Sequence, residues 1–160
     1  AEGDGFGQSV GITNDGSRVV IGAHRNDGIN GSSASSGHIR VFDLQDGSWH
    51  QVGQDIVGEN TGDFSGFSVD ISNDGSRVVI GAPLNDGING SDSGHVRIYD
   101  LRGNIWTLLL VDDIDGETTG DRSGFSVAIS GNGNRVVVGA PLNDGNGSNS
   151  GHIRIFEEED

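Results

Sequence analysis

The chain states one segment three times. Ser17-Arg18-Val19-Val20-Ile21-Gly22-Ala23 returns as Ser76-Arg77-Val78-Val79-Ile80-Gly81-Ala82, and again as Asn134-Arg135-Val136-Val137-Val138-Gly139-Ala140. The arginines at 18, 77 and 135 put the period near 59 residues. A period this long belongs to a repeat architecture built from supersecondary units, each covering the apolar face of the next. A single globular core of unrelated elements is excluded.

The middle repeat shows what one unit contains. Phe67-Ser68-Val69-Asp70-Ile71 alternates apolar and polar residues, as a half-buried strand does. Asn73-Asp74-Gly75 follows, residue types that tolerate the positive φ of a tight hairpin. Arg77-Val78-Val79-Ile80 is a second strand, His95-Val96-Arg97-Ile98-Tyr99 a third, and Trp106 to Val111 a fourth. No stretch has helical periodicity. The expected fold is all-β: three tandem four-stranded antiparallel units of the β-propeller blade type, over residues 1–62, 63–120 and 121–160. The third unit stops after its third strand, His152 to Phe156, which makes eleven strands in all. Propellers close with 4–8 blades, so such an array is expected to be a piece of something longer or to stack its ends on other copies.

In these residues the chain resembles the FG-GAP repeat of the integrin α-subunit propeller. Gly66-Phe67-Ser68-Val69 with Gly81-Ala82-Pro83 carries the resemblance, as does Gly124-Phe125-Ser126-Val127 with Gly139-Ala140-Pro141. The first repeat has Phe6-Gly7-Gln8-Ser9-Val10, and His24 in place of the proline. The resemblance implies the blade fold. Integrin blades also carry a calcium loop between strands one and two. That place here holds only Asn14-Asp15-Gly16, Asn73-Asp74-Gly75 and Gly131-Asn132-Gly133, so that calcium site does not carry over.

Composition narrows the function. The formal net charge is −15 and every basic residue is arginine, a surface that repels nucleic acid and attracts cations. Cysteine is absent, so disulfide and thiol chemistry are excluded. No run of apolar residues is long enough for a membrane-spanning helix. The compartment is not readable from cysteine, but an acidic chain of near-identical units without lysine or methionine suits an extracellular material, and the chain is expected outside the cell or on its surface.

Acidic linkers are the candidate cation sites. Asp113, Asp115, Glu117 and Asp121 stand at positions 1, 3, 5 and 9, a spacing that lets a loop curl around calcium. The preceding linker keeps Asp55, Glu59 and Asp63, with Val57 at position 3. A solvated acidic turn explains the same residues. Asn30-Gly31-Ser32, Asn89-Gly90-Ser91 and Asn146-Gly147-Ser148 are sequons at one equivalent position, acceptors for N-glycans in a eukaryotic secreted protein, or duplicated turn residues.

Three further patterns read as structural. His38, His95 and His152 each stand two residues before Arg40, Arg97 or Arg154, and polar pairing with carboxylates explains them. Trp49 and Trp106 open strand four, where an aromatic packs between blades or, less simply, stacks on a sugar. Gly7-Gln8-Ser9-Val10-Gly11 matches a nucleophile elbow but lacks the helix that motif needs. The expected function is therefore a non-enzymatic extracellular module for structure or adhesion, calcium-bound or glycosylated. It is expected to assemble head to tail with copies of itself, as a filament or a closed ring, or to continue into further blades. The alternative is a glycan- or protein-binding propeller module, or the non-catalytic propeller part of a larger secreted enzyme.

Overall fold

The computed structural model describes residues 2–28, 34–109 and 113–158. The Arg-Val-Val runs become strands because β-branched side chains pack well on a pleated, two-sided surface. The first blade holds β1 (Ser9–Ile12), β2 (Arg18–Ala23), β3 (His38–Gln45) and β4 (Ser48–Gln51), in that spatial order, with the short β5 (Ile56–Val57) added beside the start of β3. The second repeats it with β6 (Ser68–Ile71), β7 (Arg77–Ala82), β8 (His95–Arg102), β9 (Ile105–Leu108) and β10 (Ile114–Asp115). The third has only β11 (Ser126–Ile129), β12 (Arg135–Ala140) and β13 (His152–Glu157). All pairings between these strands are antiparallel.

The three-blade, propeller-type reading holds, with one addition: the linkers supply β5 and β10. The spacing 113, 115 is thus the period-2 alternation of a short strand and not a loop curled around an ion. Ile114 pairs with Val96 and is buried, while Asp115 pairs with His95.

Hairpin chemistry repeats at each β-turn. Asp15 accepts from the Ser17 backbone N–H and from the Thr13 hydroxyl, which draw its pKa down to about 2. Asp74 and Asn132 cap the same turn in the next blades. Gly16, Gly75 and Gly133 follow at positive φ, where a side chain would be strained.

Blades dock through two apolar layers. Val20, Ile39 and Val41 of the first blade pack with Val69, Ile71, Val78, Ile80 and Trp106 of the second. Val79, Val96 and Ile98 of the second pack with Val136 and Val138 of the third. Each sheet is apolar on both faces, which is why its central strands read as continuous Val/Ile runs. Glycine sets the closeness of approach. A Cβ on Gly22 would lie 2.1 Å from the Gly66 carbonyl oxygen, and one on Gly81 would lie 2.0 Å from that of Gly124. Those carbonyls accept from Ser9 Oγ at 2.7 Å and Ser68 Oγ at 2.8 Å. Ser9, the would-be nucleophile of an elbow, is a blade-to-blade tie.

The register also corrects the match in the first repeat. Gly7 N–H donates to Gly22 O as Gly66 N–H donates to Gly81 O, so Gln8, not Phe6, stands where Phe67 stands. His24, in the proline's place, packs edge-on against Phe64 and Phe67.

Candidate metal centre

The pocket worth attention lies at one end of the second blade, between the linkers that enter and leave it. It encloses about 550 Å³ and is walled by Glu59, Asn60, Asp86, Arg97, Asp113 and Asp115 among others. Strand pairing explains the assembly. β8 brings His95 and Arg97 onto one face, two residues apart, and β10 runs antiparallel beside it with Asp113 and Asp115. Glu59 arrives from the previous linker.

One oxygen each of Glu59 and Asp113 and one ring nitrogen of His95 all lie within 4.8 Å of one another. The described residues thus contain a mixed nitrogen and oxygen donor set able to hold a metal ion. His95 is buried, with Nδ1 3.3 Å from Asp113 Oδ2. Burial pushes its pKa down, against the opposing pull of Asp113, and so favours the neutral imidazole. A neutral imidazole is the form that binds metals.

Arg97 shares the site. It donates to Asp113 through Nε at 2.7 Å and Nη2 at 2.9 Å, and it pairs with Glu59. Burial disfavours its charge, but the bonds to Asp113 and Glu59 outweigh that and hold its pKa above the ordinary arginine value. Burial also raises the pKa of the Asp115 carboxyl, which there disfavours the charged form.

The acidic residues expected in one calcium loop are divided. Asp113 and Asp115 line the second blade's pocket, while Glu117 lines its counterpart in the third blade with Asn143 and His152, 3.8 Å from Arg154. Asp121 is buried and accepts from the Thr118 N–H and hydroxyl and from Asn143. Asp63 does the same with Asn60 and Asn85. Asp55 takes a two-pronged bond from Arg40, both contacts at 2.8 Å. So Glu59 joins Asp113, and Asp121 and Asp63 tie linkers to loops.

Of the three histidines, His38 and His95 are buried and His152 is exposed. Asn89 donates its amide to the Gly116 carbonyl, Asn146 is exposed, and Asn30 lies outside the described residues. Sequence reasoning grouped the histidines and the acids separately. What it missed was that the His95-Val96-Arg97 strand meets acids of two different linkers, Glu59 and Asp113. The return of Glu, His and Arg at nearly one spacing, as Glu59/His95/Arg97 and Glu117/His152/Arg154, was the available signal.

The FG-GAP repeat model matches residues 1–42, 58–99 and 113–156. This chain is an FG-GAP repeat protein. No curated protein sequence matches it. Solved structures do. A protein described as a 6-phosphogluconolactonase of Bacteroides uniformis aligns with TM-score 0.59 at 16% identity, over 94% of this chain and 36% of its own. The periplasmic gluconolactonase of Pseudomonas aeruginosa aligns with TM-score 0.58 at 11% identity, over 93% and 38%. Hydrazine synthase of Kuenenia stuttgartiensis aligns with TM-score 0.54 at 16% identity, over 93% and 33%. These likenesses establish the fold, and the FG-GAP chain spans little more than a third of each.

They also correct the expectation of a non-enzymatic module for structure or adhesion. That expectation rested on reading the histidines, the tryptophans and the Gly7-Gln8-Ser9-Val10-Gly11 match as structural. The same architecture here is shared with chains named as enzymes, and this FG-GAP chain brings a buried histidine within 4.8 Å of two carboxylates. Among the described residues no helix is long and apolar enough to cross a membrane.

Proposed function

We propose that the chain is a run of blades in a larger enzyme of propeller fold that works outside the cell, and that its second-blade pocket holds a divalent metal ion. One observation carries this reading: a buried imidazole with a nitrogen within 4.8 Å of oxygens of two carboxylates. Oxygen-only sets suit calcium, the ion expected from the acidic linkers. An imidazole donor shifts preference toward zinc-class ions. Glu59, His95 and Asp113 would hold the ion with a coordination position left open, and an ion so held would supply Lewis acidity toward a water or a carbonyl.

The protein's own groups do the rest. His95 supplies nitrogen without a proton to lose, Glu59 and Asp113 supply charge, and Arg97 is the resident cation that an entering ion displaces. The polar wall of Asn60, Asn85 and Asp86 suits a hydroxyl-rich small molecule. Two of the matched chains are named for gluconolactones, in keeping with such a ligand.

Calorimetric titration with zinc, and separately with calcium, tests the reading. One zinc per chain is expected, with at least tenfold weaker binding in His95→Ala and tighter binding in Arg97→Ala. Equal binding by wild type and His95→Ala, with both folded by circular dichroism, would overturn it.

A further inference from the structure

The blades show one arginine in two positions. Arg40, Arg97 and Arg154 each stand two residues before an aromatic, Phe42, Tyr99 or Phe156, and strand alternation puts each pair on one face. Arg40 and Arg97 are held by two-pronged bonds to linker carboxylates, Asp55 and Asp113. Among the described residues, neither stacks on its aromatic ring. Arg154 has no carboxylate in that place among the described residues, and keeps a looser pair with Glu117 at 3.8 Å. Its guanidinium carbon lies 4.7 Å from the centroid of the Phe156 ring, and its Nη1 donates at 2.7 Å to the Asp115 carbonyl. The third blade thus shows where this arginine rests when no such carboxylate holds it. That is so whether or not later blades supply one.

The second blade has the same resting place. Tyr99 pairs with Val78 as Phe156 pairs with Val136, and Val57 pairs with His38 as Asp115 pairs with His95. Tyr99 and the Val57 carbonyl therefore stand to Arg97 as Phe156 and the Asp115 carbonyl stand to Arg154. The Tyr99 ring is half-buried against the apolar layer between the first two blades, which fixes it. Burial raises the pKa of its hydroxyl, and Arg97 lies near enough to oppose that. The direction of movement follows from like charge. β8 carries His95, Arg97 and Tyr99 in that order on one face. An ion held by His95 repels the guanidinium, and the way along the face leads to Tyr99. Asp115, the other carboxylate of the pocket, pairs with His95 itself and so lies on the ion's side.

We propose that Arg97 gates the second-blade site and that Tyr99 positions it: an ion that takes Glu59 and Asp113 sends the guanidinium onto the Tyr99 ring, where it donates to the Val57 carbonyl. This rests on the metal reading above. A guanidinium stacked on an aromatic face keeps its charge without competing for a carboxylate. Without an ion, the site is closed by its own arginine. Filling and opening are one event, and affinity for the ion depends on a ring that supplies no ligand atom.

A crystal structure of Asp113→Ala, grown without metal, tests the movement itself, because it recreates the third blade's condition in the second. The Arg97 guanidinium is expected within about 6 Å of the Tyr99 ring centroid, bonded to the Val57 carbonyl. Arg97 left on Glu59, turned to Asp115 or free in solvent would overturn the gate even where zinc binds. Zinc titration tests the coupling. Tyr99→Leu is expected to bind zinc about fivefold more weakly than wild type, the worth of a partly desolvated contact between cation and ring. Tyr99→Phe is expected to bind like wild type, since Phe156 serves without a hydroxyl. In an Arg97→Ala background, Tyr99→Leu is expected to change nothing. No loss in Tyr99→Leu, or an equal loss in both backgrounds, would overturn the proposal and leave the metal reading standing. A wild type that binds no zinc would sink the metal reading, and the gate with it.

Discussion

Replacing Gly81 with alanine tests the closeness of blade docking, and Gly139→Ala is its internal control. Both glycines sit at the same place in equivalent strands, β7 and β12. The added methyl at Gly81 lies 2.0 Å from the Gly124 carbonyl oxygen, where ordinary contact begins near 3.4 Å. The obstacle is backbone, so the blades must move apart by about 1 Å or the strand must bend. Overpacking of this kind costs about 1–3 kcal/mol. The shift also weakens the Ser68 Oγ to Gly124 bond of 2.8 Å, worth about 0.5–1.5 kcal/mol. The combined loss is therefore about 2–4 kcal/mol, a large share of the ~5–15 kcal/mol typical of a domain. At Gly139 the nearest atom is the rotatable Ser126 hydroxyl at 2.4 Å, and the next two, at 3.7 Å, also belong to Ser126 of the same blade. That variant is expected within about 0.5 kcal/mol of wild type, since loss of a glycine also restricts the unfolded chain. Urea denaturation at submicromolar protein, followed by tryptophan fluorescence, measures both. Equal losses in the two variants would refute the idea that inter-blade contact dictates these glycines.

The tryptophans form a second matched pair. Trp106 is 3% exposed and donates Nε1–H to the Val52 carbonyl, whereas Trp49 is 48% exposed, so Trp106→Ala is expected to cost about 3–5 kcal/mol and Trp49→Ala less than half of that, by the same denaturation. Acid should weaken the fold through its buried histidines. Burial lowers the pKa of His24, His38 and His95 below the ordinary 6.5, with Arg25 and Arg40 adding to the effect at the first two. The unfolded chain then binds more protons than the folded one between the lowered values and 6.5, so stability is full above pH 6.5 and falls as pH drops through that window. Melting temperatures from pH 8 to pH 5 report it, and His95→Gln is expected to flatten the slope.

Much of the blade was legible because it is dictated locally. The Arg-Val-Val runs, the Asn-Asp-Gly turns and the alternation at His95 to Tyr99 each specify a strand or hairpin without help from distant residues. Corresponding positions behave alike, as at Val20 and Val79, both fully buried, and depart on the outer faces of the first and third blades, where Trp49 is 48% and Val137 36% exposed. The site was less legible because its members meet across the fold. Asp113 and Asp115 read as a loop ligand pair, since one-residue spacing looks the same in a curled loop and in a strand. Only pairing with β8 distinguishes them, by setting Asp115 opposite His95. Asp63 and Asp121 looked like ligands as well. Their buried bonds to Asn85 and Asn143 depend on loops 22 residues away and leave no local trace. The misplaced match at Phe6 has a similar cause: Phe-Gly fits the motif as letters, while the hydrogen bond from Gly7 to Gly22 sets Gln8 at the aromatic position.

Zinc-edge anomalous diffraction from crystals of the chain grown with zinc tests the proposed metal centre most directly. The expected result is a single strong peak per chain about 2.0–2.2 Å from a ring nitrogen of His95 and from carboxylate oxygens of Glu59 and Asp113, with Arg97 turned away from both acids. An empty pocket in which Arg97 still bonds Asp113 and Glu59 would contradict it.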